Sequence, residues 1–70
     1  MSKVNKATLS TAKRASRDVC VGQEIIDHNG KEFAITQIDV TDNATYIEVI
    51  GADDKTTYYG QKTFIDKFKL

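Results

Sequence analysis

Glu24-Ile25-Ile26-Asp27-His28-Asn29-Gly30-Lys31-Glu32-Phe33-Ala34-Ile35 is the stretch whose reading decides the fold. Two runs of extended character flank Asn29-Gly30. Asn-Gly in that setting predicts a two-residue hairpin turn, because both residues tolerate positive φ. Phe33 and Ile35 share one strand parity, whereas Ile38 and Val40 fall on the other. A change of phase within one run predicts a bulge or sharp bend near Thr36-Gln37, which is how a sheet curls.

Downstream the pattern stays β. Asp42-Asn43 reads as a turn, and Thr45 to Ile50 as a strand rich in β-branched and aromatic residues. Gly51 to Asp54 turns again, and Lys55 to Tyr59 extends once more. Tyr58 and Tyr59 must point to opposite faces, so one ring is exposed. Gln61 to Lys67 reads as a short turn of helix, with Phe64 and Phe68 four apart, followed by a closing strand. The expected core is Phe33, Ile35, Ile47, Val49 and Phe64.

Upstream the reading changes. Residues 1–6 are polar and are expected to be loose. From Ala7 the apolar positions Leu9, Ala12, Ala15 and Val19 fall on one side at about 100° per residue. Lys6, Lys13, Arg14 and Arg17 gather roughly opposite. The pattern predicts an amphipathic helix, capped by Thr8 or Ser10, with a thin apolar face. A helix this short is marginal alone and must lean on the body or on a partner. The expected organisation is one structural domain: a basic N-terminal arm and helix over residues 1–20, then an acidic β body over residues 21–70.

The charge follows the same boundary. Lys3, Lys6, Lys13, Arg14 and Arg17 face one acid, Asp18, before Val21, a net of +4. Lys31, Lys55, Lys62, Lys67 and Lys69 are outnumbered in the remainder by Glu24, Asp27, Glu32, Asp39, Asp42, Glu48, Asp53, Asp54 and Asp66, a net of −4. The formal zero hides a dipole, which points to an interaction surface more than to a catalyst.

Seventy residues make one small domain whose core is marginal. A single cysteine, Cys20, rules out an internal disulfide and fits a reducing compartment. Cys20 and His28 are the only soft metal ligands, too few for a structural zinc site. No apolar run reaches the roughly 18 residues of a membrane span, and no apolar stretch follows the first lysines as in a secretory signal. The expected location is the cytoplasm, with no membrane partner and no cofactor.

Val21-Gly22-Gln23-Glu24-Ile25, then Asn29 to Ile35, Ile38, and Tyr46-Ile47-Glu48-Val49 together resemble SH3-like small β-barrels of the KOW or Tudor sort, over about residues 19–70. The chain departs from the KOW pattern at Phe33 and Ala34, where a second glycine is usual. The resemblance implies a binding scaffold, not a reaction. The expected fold class is therefore α+β, mostly β: an N-terminal amphipathic helix followed by a four- or five-stranded antiparallel SH3-like small barrel. By size and style the chain also resembles the small accessory proteins that phages direct at host nucleic-acid machinery, anti-CRISPR proteins among them.

Little here reads as catalytic. His28, the only histidine, sits beside the predicted turn with no nucleophile in its pattern. Cys20 reads as a small buried apolar residue. A calcium loop starting at Asp39 would need glycine and glutamate where Ala44 and Ile50 stand. Solvated turn acids are the simpler reading of Asp39, Asp42, Asp53 and Asp54. The candidate partner-binding residues are Lys6, Lys13, Arg14 and Arg17 on the helix, with Tyr58 as the exposed ring. The expected function is a non-enzymatic binding module, a small adaptor or inhibitor docking on a protein or nucleoprotein complex. The alternative is direct nucleic-acid binding, with the arm on phosphates and a tyrosine on a base. A small hydrolase or enzyme subunit is the remaining class, and self-association stays open.

Overall fold

The computed structural model describes residues 2–11 and 14–69. These form β1 (Ser2–Val4), β2 (Lys6–Thr11), β3 (Arg14–Cys20), β4 (Glu24–Asp27), β5 (Glu32–Val40), β6 (Thr45–Gly51), β7 (Thr56–Gly60), α1 (Gln61–Lys67) and β8 (Phe68–Lys69). The largest unit is a curled antiparallel sheet in the order β7–β6–β5–β4–β8, with β1 also paired to β5. No helix among the described residues is long and apolar enough to cross a membrane.

β5 is the spine of that sheet. Its first half pairs with β4 and its second half with β1, while β6 runs along the other side. The β5–β6 register shifts between Ile35 and Gln37, leaving Thr36 as the extra residue. This is the bulge that the phase change predicts. It lets Ile35 and Ile38, of opposite parity, both enter the core.

The N-terminal segment is not a helix. β2 and β3 form an antiparallel hairpin, in which Ala7 faces Val19 and Leu9 faces Arg17. The helix-then-barrel layout is therefore corrected to a hairpin set against a curled sheet. Leu9 and Val19 are buried, as a helix would also have required. What the helical reading undervalued is the residues around them: Thr8, Ser10, Thr11 and Ser16 offer little helix propensity, and a four-residue apolar face cannot offset that. Residues 2–4 are not loose either, because β1 completes the edge of β5.

The core lies between the hairpin and the inner face of the sheet. Ile25, Ile35, Ile38, Ile47 and Val49 line that face; Leu9 and Val19 close it from the hairpin, and Phe64, Ile65 and Phe68 from α1 and β8. Phe68 is the aromatic hub, with ring centroids 5.2 Å from Phe33, 5.6 Å from Tyr59 and 4.9 Å from Phe64. Phe33 is half-buried against this cluster. α1 has no side-chain cap at Gly60, but Lys67 sits in its last turn, where the helix dipole favours a cation. The Gln61 side-chain amide donates to the Ser10 carbonyl and ties α1 to the hairpin.

The turn at Asn29-Gly30 is also different in detail. Asp27 N–H donates to Lys31 O at 3.0 Å and Gly30 N–H to Asp27 O at 3.0 Å, so the loop holds His28, Asn29 and Gly30. Only Gly30 has positive φ, +82°. The cause is Asp27, whose Oδ1 accepts the N–H groups of Asn29 and Lys31, both at 2.9 Å. That side-chain turn favours a three-residue loop ending in a left-handed residue over the tighter two-residue form.

Candidate functional site

Strand alternation puts Ile47, Val49 and Tyr59 toward the core and sends Tyr46, Glu48 and Tyr58 to the outer face of the sheet. Cross-strand partners share a face. One outer row is therefore Gln37, Glu48 and Tyr58, and the next is Lys3, Asp39, Tyr46 and Gly60. Tyr58 is 50% exposed and Tyr46 is 42% exposed. Tyr58 is the ring predicted to face solvent.

These side chains are joined. Gln37 Nε2 donates to Tyr58 Oη at 2.7 Å and to Asp39 Oδ2 at 2.8 Å. Thr36, the bulge residue, donates from Oγ1 to Glu48 Oε1 at 2.7 Å. Partial burial, and then the nearby carboxylates Glu48 and Asp39, hold the Tyr58 phenol above its ordinary value of 10.0. Asp39 is only 5% exposed, and its Oδ1 is buried with no hydrogen-bond partner among the described residues. Further along the face, Ile26, Ala34 and Ile50 line a shallow groove bordered by Glu24 and Glu32. The outer face is thus acidic and aromatic, with Lys3 and Lys69 as cations at its margins.

Of the predicted basic residues, Lys6 and Arg17 are not brought together in the way a helix would bring them. Lys6 pairs with Cys20, on the hairpin face that also carries Thr8 and Asp18, whose side chains hydrogen-bond at 2.7 Å. Arg17 pairs with Leu9, on the other face. Both are exposed, yet they point to opposite sides. Arg14 opens β3 across from Thr11. Lys13 lies outside the described residues.

The remaining candidates have structural partners. His28 Nε2 lies 2.8 Å from the Asp66 carbonyl, joining the β4–β5 loop to α1. Cys20 is half-buried, and its N–H donates to Gln23 Oε1 at 3.1 Å. Among the described residues, no group of three His, Cys, Asp or Glu side chains is placed to hold a metal ion.

Sequence reasoning named Tyr58 and missed its neighbours Thr36, Gln37, Asp39 and Glu48. One signal was present: Asp39 stands between Ile38 and Val40 in mid-strand, where aspartate is disfavoured. Comparison with known proteins returns no matching family, no matching curated protein and no matching solved structure.

Proposed function

We propose that this chain is a non-enzymatic binding module, a small adaptor or inhibitor, that docks on a protein or nucleoprotein complex through the outer face around Tyr58. The observation that carries this reading is the network itself: an exposed tyrosine is held by Gln37 beside two carboxylates. Exposed aromatic rings in a fixed polar frame are features of recognition surfaces. The small β scaffold, including its resemblance to KOW or Tudor barrels, belongs to the same reading; its support is the curled antiparallel sheet.

The acids decide between partner classes. A base stacked on Tyr58 would bring its phosphate toward Asp39 and Glu48, which would repel it. A basic protein surface is attracted there instead. The cations Lys6 and Arg17 of the hairpin, on a different unit from this face, orient the encounter through the charge dipole.

The test is site-specific photo-crosslinking in a native cytoplasmic extract, with p-benzoylphenylalanine in place of Tyr58 or of Arg17. The reading expects strong adducts from position 58 to a discrete protein, lost when Glu48→Lys is added. Adducts to nucleic acid from position 58, or adducts from position 17 alone, would overturn it.

A further inference from the structure

We infer that the free edge of β7 is a self-association surface, on which a second copy of this chain adds its own β7, antiparallel about Tyr58, to make one continuous sheet. This contact uses the backbone edge of the strand and stands apart from docking on the outer face.

β7 ends the sheet and pairs with β6 alone. The β6–β7 turn fixes which backbone groups look outward. Gly51 N–H donates to Lys55 O, so these two residues form a hydrogen-bonded pair. Counting on by twos through an unshifted register, Thr57 and Tyr59 bond to β6. The N–H groups of Thr56, Tyr58 and Gly60, and the carbonyls of Thr56 and Tyr58, therefore point to the open side. Among the described residues, no backbone bond from outside the sheet reaches them. Thr56, Thr57 and Tyr58 are all exposed.

An open edge is a hazard that folds blunt with charge, proline, bulges or short strands. The other strands with an open side are blunted here. β8 is two residues long and contains Lys69; β1 is three residues long with Lys3 at its centre; the hairpin strands carry Lys6, Arg14 and Arg17. β7, Thr56-Thr57-Tyr58-Tyr59-Gly60, has no charge, no proline and no register shift. Nor does the Tyr58 ring cover the edge, because it leans across β6, where its hydroxyl accepts from Gln37 of β5. Gly60 has no side chain, and a Cβ there would meet nothing within 4 Å. α1 turns inward directly afterwards and buries Phe64 and Ile65.

The edge is self-complementary. A two-fold axis at Tyr58 lets Tyr58 and its mate exchange both backbone bonds, and sets each Gly60 N–H on the other copy's Thr56 carbonyl. The missing side chain of Gly60 leaves room for the Thr56 that arrives opposite. Charge agrees with this direction. Asp53 and Asp54 outnumber Lys55 at one end of β7, and Lys62 lies exposed just beyond the other. An antiparallel mate sets the acidic end of each copy beside the lysine of the other, whereas a parallel mate would set acid beside acid. A second copy also brings a preformed strand, which loses less freedom on pairing than a flexible peptide. The two outer faces then lie on the same side of the joined sheet.

The probe is the chain itself, followed by sedimentation equilibrium and amide hydrogen exchange over a concentration series. A monomer–dimer equilibrium is expected. The Tyr58 and Gly60 amides, open in the monomer, should exchange roughly tenfold or more slowly at the concentrated end. In a mixture of labelled and unlabelled chains, an interchain contact is expected between the α-hydrogens of Thr57 and Tyr59, the non-hydrogen-bonded pair of this register. Thr56→Pro puts a ring over the open edge and leaves the bonds to β6 in place, so it should stay folded and monomeric. Lys62→Glu should weaken the dimer several-fold, and serves as the second variant should Thr56→Pro disturb folding. A chain that stays monomeric throughout the series would overturn the inference. So would a dimer that lacks the Thr57–Tyr59 contact or is indifferent to both variants. Protection of Tyr58 and Gly60 that appears only with a partner captured through position 58 would overturn the second copy as the occupant.

Discussion

Asp54 stands in the β6–β7 loop where Gly30 stands in the β4–β5 loop. Asp54 N–H donates to Gly51 O and Gly51 N–H to Lys55 O, both at 3.1 Å, repeating the bonds of Gly30 and Asp27. Both residues are left-handed, with φ +61° at Asp54 and +82° at Gly30. Only one of the two is a glycine. A side chain in that region carries a cost that glycine avoids. Asp54→Gly should therefore raise stability by about 0.5–1 kcal/mol, and Gly30→Val should lower it by about 1 kcal/mol or more. Urea unfolding of the two variants checks the pair; equal stabilities would contradict it.

Phe68 should matter more than Phe33. Phe68 is fully buried and touches three aromatic rings, whereas Phe33 is half-buried at the rim. Phe68→Ala should cost about 3–5 kcal/mol, a large share of the stability of a small domain. Phe33→Ala should cost distinctly less. Thermal unfolding ranks them, and the reverse order would mean that the core is misplaced.

Asp27 should make the fold acid-sensitive. The Lys31 N–H is the main cause that holds its carboxyl below the ordinary 3.8, outweighing the opposing effect of burial, with help from the Asn29 N–H and the charges of Lys67 and Lys31. A depressed carboxyl contributes stability above its unfolded value and loses it as pH falls through the folded one. Unfolding followed from pH 7 down to about pH 2 should show a smaller acid loss in Asp27→Ala than in the parent, with lower stability at neutral pH. Parallel curves would remove Asp27 from the account.

Tyr58 should ionise above the ordinary range of a phenol. Its raised value means that the folded chain holds this proton above pH 10, so stability should decline as pH rises beyond the ordinary range. In an ultraviolet titration, Tyr58→Phe should delete a phase that lies above pH 10, and Glu48→Gln should move that phase down. If Tyr46→Phe deletes it instead, the network around Gln37 is wrongly placed.

The body of the fold was legible because its signals are local. Asn29-Gly30 marks a hairpin, the parity switch between Ile35 and Ile38 marks the Thr36 bulge, and Phe64 four before Phe68 marks α1. The N-terminal segment was not legible, because Leu9 and Val19 are buried whether the chain between them coils or folds back on itself. Only tertiary pairing separates those outcomes. The site was half legible for the same reason. Tyr58 could be picked out by parity, but Glu48, Gln37 and Asp39 meet it through cross-strand register, which sequence spacing does not contain. The basic stripe was read from the helical period; on the hairpin, two of its members, Lys6 and Arg17, face apart.

The central claim is that binding runs through the outer face and not through the hairpin cations. The direct measurement is the binding kinetics of the partner captured through position 58, compared between Tyr58→Ala and the double variant Lys6→Glu, Arg17→Glu. The account predicts that Tyr58→Ala speeds dissociation by roughly tenfold or more with the melting temperature unchanged, as loss of an aromatic anchor does. It predicts that the double variant alters only the association rate and its salt dependence. Unchanged dissociation in Tyr58→Ala, together with lost binding in the double variant, would contradict the account.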